Sequence, residues 1–483
     1  MTTAYEEEAE SFLSALEEEY FQNGAGLKQT FELSSIYEQY AHLFTRDRVE
    51  AQLAKRATKA DRYLAQFAGF QYIGNSARAI TEEIANGEMQ ATLEWDGGSV
   101  PYRRALTMLP NEPDRGRRRN LCRRTLEVTR RHNPTRAERF RQRHREVQAL
   151  GFTDSRDFCE QLLGIDLHQL ALQMSDLLAR TQDAYRRKLA AALEESRIPA
   201  ETAEVCDVRH IMLGRPFDDL FPEDRLLLLL ERTLACLGID LASQTNLRLD
   251  TAKRPLKLPR AFCCTVRVPS DVRLVIMPQG GREDYNALFH ETGHAQHFAH
   301  TDESVSFAFR RLGDTSVTEG YAFLLNLLVN TQVWHEQVAE TDPGPAYLSF
   351  CRFYQLYYLR RYAAKLIYEI ELHEAGDPGA GFDRRYSQVL GDALELAVPQ
   401  EDYLADVDDQ FQSACYLRGW MLEAQLRRQL ESKFGAAWLK HAGAGEMLRG
   451  LWRQGQRYDA DELARQLGYQ HLDPEVLISD LIG

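Results

Sequence analysis

The segment His290-Glu291-Thr292-Gly293-His294 sets two imidazoles four residues apart. On a helix that spacing puts both side chains on one face, about 6 Å apart, so they can converge on a single zinc ion. Glu291 falls one position off that face, where a carboxylate can reach a metal-activated water without displacing it and act as general base. A hydrolytic zinc site also needs a third protein ligand and one open position. Glu319, 25 residues after His294 at the start of the apolar stretch 317–329, supplies it. Ser316-Val317-Thr318-Glu319 also fits a capping box, in which Glu319 would only satisfy the Ser316 amide. The ligand reading is preferred because no other nearby acid begins so apolar a helix. His297 and His300 follow on the same helix and compete as ligands. The first would need a strained ring geometry and the second lies near the helix end, so both are read as packing or solvated histidines.

These residues require a framework. Residues 260–278 read as a β-hairpin: Ala261–Val268 and Val272–Met277 flank the turn Pro269-Ser270-Asp271. Gly280-Gly281 then breaks the strand, and Asp284 is placed to cap the helix that carries His290. Elsewhere apolar residues recur at three- and four-residue spacings, predicting helices over 4–22, 28–68, 76–93, 116–132, 135–149, 168–195, 222–238, 284–300, 316–337, 346–375, 382–396, 400–434 and 458–467. The fold class is therefore mainly α. A chain of 483 residues exceeds one ordinary core, and two lobes are expected, an N-terminal helical lobe over 1–205 and a catalytic lobe over 206–483.

Over roughly 260–420 the sequence resembles the thimet oligopeptidase and oligoendopeptidase F group of zinc peptidases. Their fold is shared with angiotensin-converting enzyme and Taq-type carboxypeptidases. The residues that carry the likeness are the Ala261-Phe262-Cys263 strand start, the second strand with Gly280-Gly281, His290 to Ala295, the Glu319 spacing, and Tyr416-Leu417-Arg418-Gly419-Trp420. The first half of the chain matches only in being helical. The resemblance implies a nearly all-α, two-lobed body with a deep channel, one zinc ion at its floor, and short unfolded peptides as substrates. It also implies tyrosine and histidine donors for the oxyanion. Tyr416 is the candidate tyrosine, with Arg418 nearby as an anion contact, but no histidine lies between His373 and His441.

The function expected is hydrolysis of short oligopeptides, with Glu291 taking a proton from water and returning it to the departing amine. The strand around Val272–Met277 is expected to pair with substrate backbone. A carboxypeptidase is the nearest alternative and needs a cationic clamp for a terminal carboxylate, for which Arg418, Arg360 and Arg361 are candidates. A noncatalytic zinc- and peptide-binding protein is the more distant one. The Tyr354, Tyr358 and Tyr362 stripe is read first as packing and second as channel lining.

A net charge of -14 argues against a nucleic-acid partner. The arginine-rich stretch Arg115–Arg145 is read as a helical face paired with acids such as Glu6–Glu8 and Glu17–Glu19. The eight cysteines show no metal-binding spacing and are expected reduced. The start Met1-Thr2-Thr3-Ala4-Tyr5 lacks signal-peptide character and no apolar run spans a membrane, so a cytoplasmic location without membrane partners is expected.

Overall fold

The structure is a computed structural model and describes residues 3–482. Met1, Thr2 and Gly483, which belong to the expected lobes and to the N-terminal reading, lie outside the described residues. The described residues are predominantly helical with two small sheets.

It divides into two compact units, each assembled from more than one stretch. One comprises Gly214–Cys351 and Cys415–Asp480 with the N-terminal stretch through Ala68; the other is built mainly from Gly69–Leu213 and Arg352–Ala414. A single cut near residue 205 does not separate them. The reason lies in helix α1 (Ala4–Gly24), which starts at a Thr3/Glu6 capping box and buries Ala9, Phe12 and Leu16. Its acids reach the sheet of the first unit: Glu17 accepts from the Thr265 amide at 3.1 Å, and Glu18 pairs with Arg273 at 2.8 Å.

That sheet contains the expected hairpin and a third strand the sequence did not announce. Strands β1 (Leu247–Asp250), β2 (Phe262–Arg267) and β3 (Asp271–Val275) lie in the order β1-β3-β2. Leu247 pairs with Val272 in parallel, and Cys263 pairs with Leu274 in antiparallel register. β3 is therefore central, with Val272, Leu274 and Val275 fully buried. Full burial of each such side chain is worth about 1.5–3 kcal/mol. Because β3 has a neighbour on each side, it cannot also pair with a substrate, which corrects the expectation for Val272–Met277. The two edges of the sheet are β1 and β2.

Helix α2 (Arg282–His300) and helix α3 (Thr315–Leu328) pack together beside this sheet, and helix α4 (Gln412–Phe434) follows later in the chain.

In the second unit the sequence predicted a helix break near residue 134, but Arg115–Ala149 is one helix with Pro134 inside it. Pro134 has no amide to donate, and the Arg136 guanidinium donates to the Thr129 carbonyl at 2.9 Å beside the irregularity. The arginines of this helix are paired as expected, but not with Glu6–Glu8 or Glu17–Glu19. Their carboxylate partners include Asp207, Glu204, Glu401, Glu88 and Asp409. Glu8 instead meets Arg48, and Glu19 meets Lys28. Among the described residues no disulfide joins the eight cysteines, and no helix is long and apolar enough to cross a membrane.

Candidate metal centre

Helix α2 begins where two glycines turn the chain out of β3. Gly280 and Gly281 have φ of 79° and 86°, a left-handed conformation that side chains disfavour. A Cβ on Gly280 would also stand 2.8 Å from the Glu223 amide nitrogen. Asp284 does not cap its own helix. It reaches backwards, accepting from the amides of Gln279 and Gly280 at 2.6 and 2.9 Å, while Asp218 accepts from the Arg282 amide at 3.0 Å. Two carboxylates thus satisfy the amides on either side of the helix start.

The register fixed there brings His290 and His294 together. Their Nε2 atoms lie 3.3 Å apart with the rings nearly perpendicular. Glu319 arrives from α3, whose N-cap is Asp314, accepting from the Ser316 amide at 2.9 Å. The capping role that competed for Glu319 is thus filled by another residue. Glu319 Oε2 stands 3.4 Å from His290 Nε2 and 3.8 Å from His294 Nε2, and one ligand atom from each residue lies within 4.8 Å of the others.

Glycine makes this convergence possible. A Cβ on Gly293 would meet Ala322 Cα at 2.4 Å and the Tyr321 carbonyl at 2.7 Å, so α2 and α3 touch backbone to backbone at the centre of the motif. Across the far side of α3, a Cβ on Gly419 would meet Glu319 Cβ at 2.9 Å. Glu319 is wedged between α2 and α4.

The chemistry of these donors fits a divalent cation. Burial pushes both imidazoles down to about 4, so they present neutral lone pairs near pH 7. Burial raises the Glu319 carboxyl, with His294 opposing it, and its Oε2 atom is buried without a hydrogen-bond partner. An orphaned carboxylate oxygen facing two imidazole nitrogens is the arrangement a cation satisfies. Two nitrogens and one carboxylate oxygen suit zinc and leave a position open. The residues that would hold it are His290, His294 and Glu319. The sequence missed Thr318, whose hydroxyl lies 2.8 Å from His294 Nδ1. Were a cation held by Nε2, Nδ1 would carry the proton and donate a hydrogen bond to the Thr318 hydroxyl.

Glu291 stays outside the ligand set. Its Oε2 accepts from the Cys263 amide of β2 at 3.0 Å, which ties the edge strand to the helix. Burial and the neighbouring Glu319 charge push its carboxyl up to about 8, while the Cys263 amide and Arg260 draw it down. A group poised there can both accept and release a proton near neutrality.

The remaining candidates divide. Tyr416 packs on Phe323 at 6.2 Å between ring centroids, and Phe323 in turn lies 5.3 Å from the His290 ring. Tyr416 is thus placed one ring away from the ligands. His297 is fully buried against Tyr321 and faces the Gly455 carbonyl at 3.3 Å, and His300 bonds the Gln296 carbonyl of its own helix. Neither joins the ligand cluster. Arg418 corrects an expectation: it is buried and held by Asp461 at 2.9 Å and Asp314 at 3.4 Å, so it locks α4 to the start of α3 rather than standing open to a substrate anion. Arg360 is likewise held by the Leu178 and Ala393 carbonyls, and Arg361 by Asp406. None of the three is open for a substrate carboxylate.

No protein-family model matches this chain, and no curated protein matches it. Solved structures do. One described as "The Structure of CHT" superposes with a TM-score of 0.57 at 15% identity, covering 99% of this chain and 97% of that one. The M32 carboxypeptidase from Deinococcus radiodurans R1 superposes with a TM-score of 0.52 at 16% identity, covering 99% and 96%. The chain shares its fold with these proteins over nearly its whole length.

Proposed function

We propose that this protein is a zinc metallopeptidase that hydrolyses peptide bonds in short peptides. The observation that carries the reading is the convergence of His290, His294 and Glu319 with Glu291 beside them but outside the ligand set. Zinc bound there supplies a polarised substrate carbonyl and a water more acidic than bulk water. Glu291 would take a proton from the attacking water and return it to the leaving amine. The Cys263 amide aims the carboxylate, and Thr318 fixes the His294 tautomer. Tyr416 remains the candidate donor to the developing oxyanion. One zinc per chain, a cytoplasmic setting, and partners limited to peptide substrates, without nucleic acid or membrane, complete the proposal.

Within this class the chain either cuts inside oligopeptides, as its resemblance to the thimet oligopeptidase and oligoendopeptidase F group implies, or removes C-terminal residues. The second mode gains support from the fold shared with a protein described as an M32 carboxypeptidase. A purely structural zinc site is less fitting, because such sites close with four protein ligands. Here the cluster found among the described residues has three.

The decisive experiment is zinc analysis and peptide hydrolysis on wild type and Glu291→Gln. Retained zinc with turnover lowered on the order of 10²–10⁴-fold is expected. An unchanged rate in the variant would sink the general-base assignment.

A further inference from the structure

On the metallopeptidase reading, on which this assignment rests, we propose that Tyr20 and Phe31 form an aromatic subsite for a large apolar side chain of the peptide substrate close to the scissile bond.

Helix α1 fixes where Tyr20 stands. Glu17 accepts from the Thr265 amide at 3.1 Å, and Gly24, further along the helix, lies so close to Phe262 that a Cβ would stand 2.6 Å from its ring. The helix rises about 10 Å from Glu17 to Gly24, and the strand spans about 10 Å from Phe262 to Thr265, so α1 and β2 run side by side in opposite directions. Tyr20 lies one turn past Glu17 and one turn before Gly24, on the face those two residues share. It is therefore level with Cys263 and Cys264. The Cys263 amide holds Glu291 at 3.0 Å, so the Tyr20 ring flanks the stretch of β2 that touches the base.

Phe31 is brought to the same place by Glu19. This buried carboxylate accepts from the Glu32 amide at 2.7 Å and from Lys28 at 2.8 Å, which folds 28–32 back along α1. The Tyr20 and Phe31 rings then meet at 5.2 Å between centroids. Each remains about half exposed, at 47% and 46%, outside the core that α1 builds with Phe12 and Leu16. Leu258, whose amide bonds the Gly24 carbonyl at 2.9 Å, adds an exposed apolar side chain at the same end of the helix. The one cation in the 28–32 segment, Lys28, is neutralised by Glu19 and Glu32, so the pair favours an apolar side chain over a charged one. Two rings already held together take such a side chain with little further loss of freedom.

The backbone edge of β2 does not compete for this task at these positions. Glu291 takes the Cys263 amide, Glu17 the Thr265 amide, and Arg311 donates to the Thr265 carbonyl. A peptide passing this flank is read through its side chains rather than as an added strand.

The test uses zinc-loaded Glu291→Gln protein, in which binding is read without turnover. Calorimetry compares N-acetylated alanine hexapeptides carrying one phenylalanine, moved from position to position, with the all-alanine peptide. One position should bind on the order of ten- to a hundredfold tighter, as burial of a phenylalanine side chain implies. Adding Tyr20→Ser and Phe31→Ser together should remove that gain at unchanged zinc content, and Phe31→Leu should keep most of it. Phe31 lies outside any helix or strand, so Phe31→Ser alone carries the test if the double variant does not fold, with a several-fold loss of the gain expected. No favoured position, or one that survives these substitutions, overturns the assignment. So does a zinc-loaded protein that sediments as a dimer and becomes monomeric with Phe31→Ser, because the rings would then join two copies of this chain. Wild-type hydrolysis of the same peptides judges the parent reading separately. A phenylalanine preference governed by Tyr20 and Phe31 without any turnover would refute the peptidase and leave the aromatic subsite standing.

Discussion

The hydroxyl of Thr318 lies 2.8 Å from Nδ1 of His294, and Thr318 immediately precedes Glu319 on α3. One helical turn thus supplies one proposed metal ligand and orients another that belongs to a different helix. A ligating imidazole depends on such a partner to fix its tautomer and ring angle, and losing the partner typically costs 10–100-fold in metal affinity. Thr318→Val keeps the shape and removes the acceptor. Its zinc affinity, measured by competition with a chelator, should fall within that range, and Thr318→Ser should recover most of it. Wild-type affinity in the valine variant would show that the hydroxyl does not orient His294.

Glu319 and Asp314 separate two roles that the sequence left entangled. Asp314 caps α3 and also holds Arg418 and the Ala460 amide, so Asp314→Ala should destabilise the fold by at least the ~1 kcal/mol of an N-cap. Glu319 makes no cap, and its Oε2 is buried without a partner. Glu319→Ala should therefore lose zinc more severely than the Thr318 variant, beyond a hundredfold. The melting temperature of its metal-free form should stay at or above that of metal-free wild type. Full zinc occupancy in Glu319→Ala would remove it from the ligand set.

What could be read in advance was local. His290 and His294 are related by helical spacing alone, and an apolar run after an acid suffices to nominate Glu319. The helical class and the 260–278 hairpin also follow from periodicity. Tertiary relationships could not be read this way. Asp218 reaching the Arg282 amide, Cys263 aiming Glu291, and Thr318 meeting His294 each join residues from separate elements. β1 is only four residues long, too short to show a period, and without it β3 looked like a free edge. Pro134 signalled a break that the helix through Arg115–Ala149 absorbs. The arginines 360, 361 and 418 looked available because charge composition does not reveal which carbonyls and carboxylates surround them.

Gly293 sits at the closest approach of α2 and α3. In an isolated helix Gly→Ala is stabilising by up to about 1 kcal/mol. Here the new methyl would meet Ala322 Cα at 2.4 Å and the Tyr321 carbonyl at 2.7 Å, both backbone atoms that no rotamer change can move. Overpacking of this kind typically costs about 1–3 kcal/mol. Gly293→Ala should lower the melting temperature and also weaken zinc, because parting the helices withdraws Glu319 from the imidazoles. A variant as stable as wild type with normal zinc affinity would refute the close packing inferred at this crossing.

In the second unit, Glu369 is fully buried; it accepts from the Asp408 amide and the Ser413 hydroxyl, both at 2.6 Å, and lies 3.6 Å from Lys365. Burial dominates over these partners and pushes its carboxyl from 4.5 up to about 8. Between those two values the folded chain keeps a proton that the unfolded chain has released. The stability contributed by the protonated group is thus complete below pH 4.5 and is lost as pH rises through about 8. The slope is at most about 1.4 kcal/mol per pH unit for one proton. Glu369→Gln mimics the protonated carboxyl and removes the titration, so the difference in urea-unfolding stability between variant and wild type isolates this group from every other. The variant should gain on wild type steadily from pH 5 to 8 and level off above. A difference that stays constant across that interval would mean that Glu369 is ionised in the folded protein, with Lys365 rather than a proton balancing its charge.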